Sequence, residues 1–117
     1  MGNNGITVVN VFSAEAILGS GNSTSEVIPL WAYKPVGNFS LQVESVGVGS
    51  VVKLEYLLSN DGVTYLTPAG ASDIVTAHAA GNAFYDFTPE LAKFLKIKAT
   101  ETAAANVTSL NVRLAIQ

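Results

Sequence analysis

Cysteine is absent from this 117-residue sequence, which rules out a disulfide framework, a thiolate metal site and a cysteine nucleophile. Histidine occurs once, as His78, so a structural zinc site cannot be assembled from one copy of the chain. Charge is scarce as well. Charged residues are 13% of the chain, about half the usual share of a globular protein, while hydrophobic residues reach 49%. The net charge of −3 is spread without runs of one sign, so the basic stripe needed for a phosphate backbone is missing and nucleic acid is not expected as a partner. The opening MGNNGITVVNVF has no basic stretch ahead of a long apolar run, and nowhere do 18 apolar residues follow one another; neither a signal peptide nor a membrane span is predicted.

What is present is alternation of period two, the mark of half-buried strands. In FSLQVESV, Phe39, Leu41 and Val43 fall on one face and Ser40, Gln42 and Glu44 on the other. SVVKLEYLLS sets Val52, Leu54, Tyr56 and Leu58 against Lys53 and Glu55, and the short Val48–Ser50 link predicts a hairpin between these two runs. SNDG follows, and Asp-Gly tolerates positive φ in a tight hairpin turn, so Val63 to Thr67 should return antiparallel until Pro68 stops the ladder. LKIKAT sets Leu95, Ile97 and Ala99 against Lys96 and Lys98. The last run sets Leu110, Val112, Leu114 and Ile116 against Ser109, Asn111, Arg113 and Ala115, and the two are expected to pair through Glu101 to Asn106.

Ile6 to Phe12 and Glu26 to Ala32 alternate less cleanly but are rich in β-branched and aromatic residues, and read as further strands around the loop LGSGNSTS. One helical signal occurs, in TPELAKF, where Thr88 can cap, Pro89 suits the first helical position and Glu90 the positive end of the dipole. The segment Pro68 to Asn82, rich in Ala and Gly, reads as a long loop suited to carrying contacts. Together these features predict a single all-β domain over residues 1–117, an antiparallel β-sandwich of jelly-roll or Ig-like type with about seven or eight strands and one short helical turn.

Catalytic constellations are missing. No Gly-x-Ser-x-Gly elbow accompanies His78, which reads as an exposed loop residue. The acids have simpler roles on strand surfaces and in turns, SNDG lacks the oxygen ladder of a dedicated calcium loop, and no cofactor is expected. Asn22, Asn38 and Asn106 head Asn-x-Ser/Thr sequons, read as chance occurrences. Trp31 and Tyr33, two apart on one face of a strand, and Tyr65 could stack on a sugar ring; an apolar strand such as VIPLWAY more often places them in a core or interface.

EYLLSNDGVTYLTP, ASDIV, FYDFTPELAKFLKIKATET and the final LAIQ, in that order, resemble small structural proteins of tailed phages and prophages, over Phe39 to Gln117. The resemblance implies a virion component, assembled in the bacterial host cytoplasm: a capsid decoration or cement protein, or part of a tail or neck. It implies no enzymatic activity and brings no catalytic residues. The expected partners are further copies of the chain and other virion proteins; a carbohydrate- or receptor-binding module is the alternative. Candidate interface residues are Val8, Val9 and Val11 in the charge-free N-terminal run, Trp31 and Tyr33, and Ile74 and Val75 in the Ala-rich segment.

Overall fold

Strands form wherever the alternation is regular, and their inward faces supply the core. The structure, a computed structural model, describes residues 5–117. In chain order the elements are β1 (Thr7–Ile17), β2 (Asn22–Thr24), β3 (Ile28–Pro29), α1 (Leu30–Tyr33), β4 (Phe39–Val46), β5 (Val51–Ser59), β6 (Val75–Ala79), β7 (Gly81–Phe87), β8 (Phe94–Glu101) and β9 (Val107–Ile116). Two antiparallel sheets face each other. One runs β1-β9-β4-β7; the other runs β2-β8-β5-β6, with β3 also against β8. Leu41, Val43, Val112 and Leu114 from the first sheet meet Val52, Leu54, Leu95 and Ile97 from the second in a fully buried core.

β2 and β3 are two pieces of one strand position. Between them the Ser25 N–H donates to the Ile97 carbonyl at 2.8 Å, and the Ile97 N–H donates to Ser25 Oγ at 3.0 Å, so a side-chain hydroxyl stands in for the missing carbonyl. Counted that way there are eight strand positions among the described residues, within the expected seven or eight. They nest as β1 with β9, β2/β3 with β8, β4 with β7 and β5 with β6, which is the wrapped double sheet of a jelly roll rather than an Ig-like order.

Two of the expected hairpins prove to be crossings between sheets. β4 and β5 lie in different sheets, as do β8 and β9. Each pair buries the faces that alternation assigned, but across the core rather than side by side. At the first crossing a Cβ on Gly47 would collide with the Asn106 carbonyl, so only glycine lets the two crossings touch.

The SNDG segment is wider than a tight hairpin. Gly62 does take positive φ (75°), but Asp61 Oδ1 accepts from the Val63 and Thr64 N–H groups and from Ser59 Oγ, which curls the chain. Only Leu66 returns to the sheet, exchanging both backbone bonds with Leu58 at 2.9 and 3.0 Å. No strand spans residues 63–67.

The helical turn is elsewhere too. Residues 88–93 are irregular, because Glu90 is drawn to Tyr56 and the Lys93 N–H to Asn60 Oδ1. α1 instead takes over the end of the expected strand Glu26 to Ala32, from Leu30 on, and closes with the Lys34 N–H on the Leu30 carbonyl, Lys34 being left-handed (φ 47°). The expected loop Pro68 to Asn82 contains all of β6 and the start of β7.

Candidate functional site

The architecture separates two ends. Connections at one end are short: residues 18–21, 47–50, 80 and 102–106. At the other they are long: residues 30–38, 60–74 and 88–93.

The short end is tied together by a carboxylate that is 1% exposed. Glu101 accepts from the backbone N–H groups of Ser20, Val51, Ala103 and Ala105 at 2.9 to 3.1 Å, linking three crossings of the chain. Burial pushes its pKa up, but the four donors outweigh burial and hold it at about 2. A signal for it was present, since extending Leu95, Ile97, Ala99 by one step puts an acid on the core face.

His78 is 5% exposed, on β6, and not the exposed loop residue expected. Its Nε2 lies 3.0 Å from the Gly81 carbonyl, which can only accept, so Nε2 donates there; in that tautomer Nδ1 accepts a hydrogen bond from the Tyr85 hydroxyl, 2.7 Å away. The imidazole thus ties β6 to β7 where the chain changes sheets. His78→Ala removes both of these bonds, and the expected cost is about 1–3 kcal/mol in urea unfolding. A cost near zero would return His78 to an idle role.

The long end carries the clefts. One, of about 650 Å³, lies between the loops 59–68 and 90–92, walled by Leu58, Leu66, Pro68 and Leu91 with Ser59 and Asp61 at its polar side. A second, of about 310 Å³, is bordered by Tyr56, Asp73, Asp86 and Glu90. There the Tyr56 hydroxyl donates to Glu90 Oε1 at 2.8 Å, and burial, then that bond and the Glu90 charge, push its pKa up to about 12. Among the described residues no group of His, Cys, Asp and Glu is placed to hold a metal ion.

The expected interface residues divide. Val8 is 59% exposed, whereas Val9 and Val11 pack on the core, the latter as the extra residue of a bulge between Asn10 and Phe12. A lysine at Val9 would therefore strike the fold rather than a surface. Val75 is buried and Ile74 packs against the core, so both belong to the interior that β6 completes. Trp31 is 59% exposed, while Tyr33 packs on the core. They share no strand face, since two residues apart on a helical turn point in different directions. One face of Tyr65 is taken by Lys96 Nζ, 4.3 Å from the ring centroid.

β1 is the edge of its sheet, paired only with β9. No charged residue occurs from Ile6 to Ala14, and Ile6 and Val8 are exposed. Trp31, Val36, Val63, Leu66 and Leu91 expose further apolar surface at the long end. The surface on offer there is apolar side chain and unpaired backbone.

No protein family's sequence model matches the chain, and none of the curated proteins matches it in sequence. Solved structures are similar in fold. The SPBc2 prophage-derived protein YomS aligns with a TM-score of 0.54 at 10% identity, over 99% of this chain and 97% of that one. The mitogen derived from Yersinia pseudotuberculosis aligns with a TM-score of 0.52 at 14% identity, over 96% of this chain and 85% of that one. Identities this low speak to the β-sandwich alone.

Proposed function

We propose that this chain is a structural component of a phage virion, acting by self-association or by docking on a repeating particle surface. The observation that carries the reading is the outer edge of β1, unpaired and without a charge from Ile6 to Ala14. Edge strands are ordinarily guarded by charge, and one left unguarded is a template for another strand. Repetition on a symmetric lattice makes a modest contact of this kind strong. The fold likeness to a prophage-derived protein and the resemblance of the SNDG and TPELAKFLKIKATET segments to virion proteins agree with it. On this reading the protein is not an enzyme, uses no cofactor or nucleic acid, and resides in the virion after assembly in the bacterial cytoplasm. Capsid decoration and a tail or neck position are both open to it.

One observation favours a second reading, a carbohydrate- or receptor-binding module: the exposed indole of Trp31 at the end that carries the clefts. Sedimentation of the purified chain, together with immunogold microscopy of particles released from a lysogen carrying its gene, separates the two. A defined oligomer and regular labelling of particles are the expected results. A chain that stays monomeric, is missing from particles and shifts its Trp31 fluorescence on adding sugars would sink the virion reading.

A further inference from the structure

The hydrogen bonds of β9 reveal which backbone groups of β1 are left over. Gln117 and Asn38 exchange both bonds, N–H to carbonyl, at 2.9 and 3.1 Å. An antiparallel ladder alternates, so Ala115 and Arg113 likewise bond toward β4, and Ile116 and Leu114 bond the other way, toward β1. Their register partners there are Thr7 and Val9. Val8 and Asn10, the residues between, therefore aim their N–H and C=O groups out of the sheet.

The other three edges are obstructed. β2/β3 is interrupted at Ser25, carries Glu26 and ends at Pro29, which has no N–H. β6 has five residues, and β7 carries Asp86. Among the described edge strands β1 offers the longest stretch without charge, Ile6 to Ala14 ahead of Glu15, and that lack of charge selects the occupant. In a two-fold pairing each residue meets its own copy or a near neighbour, so any charge would face itself; from Ile6 to Ala14 none does. Beyond Asn10 the bulge at Val11 and the left-handed Ala14 (φ 51°) turn the strand out of register, which limits the paired stretch and favours a closed pair over a fibre.

We propose that two copies of this chain join β1 to β1 antiparallel about a two-fold axis at Val8, fusing two four-stranded sheets into one of eight strands. Val8 lies opposite Val8 of the partner subunit, and Asn10 opposite Ile6 of the partner subunit. The proposal rests on the self-association reading and names its partner and register.

Because the chain has no cysteine, Val8→Cys tests the register directly. Residues directly opposite in a bonded pair have Cα atoms about 5.5 Å apart, within disulfide reach. Mild oxidation is expected to give a covalent dimer on a non-reducing gel, while Val63→Cys, 82% exposed at the long-loop end, stays monomeric. Val8→Pro removes only an outward N–H, so its β circular dichroism should match the parent while dimer dissociation rises at least about tenfold. A Val8→Cys chain that resists oxidative dimerisation, or a folded Val8→Pro chain that sediments as the parent does, overturns the pairing. If the pairing fails while the parent still oligomerises and labels particles, the virion reading stands. If the parent is monomeric and missing from particles, both fall.

Discussion

Glu101→Ala is expected to lower the thermal midpoint by roughly 10 °C or more, the largest loss from any single polar side chain. Four backbone N–H groups from three crossings converge on this carboxylate, and the methyl of alanine satisfies none of them. Glu101→Gln retains one carbonyl oxygen but turns amide hydrogens toward donors, so an intermediate loss is expected. The pH dependence carries the same signature. The folded carboxyl has a pKa of about 2 against an ordinary 4.5, and a lowered carboxyl pKa stabilises only while the group is ionised. Its contribution is therefore complete above pH 4.5 and is lost as pH falls toward 2.

Asp61 titrates in an overlapping window, from 3.8 down to about 2, held there by the Thr64 and Val63 N–H groups and the Ser59 hydroxyl. Only the Glu101 share should vanish in Glu101→Gln, leaving a shallower acid slope. Melting curves from pH 7 to pH 2 on the parent and both variants check this. An alanine variant melting within about 2 °C of the parent would remove Glu101 from its role.

Leu114→Ala is expected to cost about 2–5 kcal/mol, a large part of the 5–15 kcal/mol typical of a folded domain. Leu114 is fully buried on β9, between Val9 of β1 and Leu41 of β4 in the ladder, and faces the other sheet across the core. Val9 and Leu41 are paired with it in the ladder on either side, and β4 runs beside β9 without a register break, so the cavity cannot collapse freely and the upper part of the range applies. Leu114→Met, which nearly keeps the volume, should cost less than about 1.5 kcal/mol. Urea unfolding of both, read as a shift in midpoint at constant slope, measures the difference. A loss under about 1 kcal/mol in the alanine variant would mean that the sheets are not packed as described.

These two residues mark the limits of reading without coordinates. Leu114 needs only alternation, whereas Glu101 sits on the same kind of alternating run but takes its role from donors up to 81 positions away, which alternation does not show. His78 was misplaced for a related reason: the Ala- and Gly-rich composition around it resembles a loop, and only pairing of β6 with β5 makes it a strand. Of the candidate contact residues, Val8 and Trp31 are exposed, while Val9, Val11, Tyr33, Ile74 and Val75 pack inward.

An antiparallel sandwich, the buried faces of β4, β5, β8 and β9 and the charge-free first half of β1 can all be read from the residues without their partners. Those properties are local: a period of two is written in neighbouring residues, whatever the strand lies beside. Tertiary structure alone decided that β4 and β5, and β8 and β9, cross between sheets, and so that β1 is an edge. Alternation is identical for a hairpin and for a crossing, because both bury the same face. What separates them is whether the crossings can meet, and that depends on the missing Cβ of Gly47 beside the Asn106 carbonyl and on the Glu101 carboxylate that gathers the N–H groups at that end.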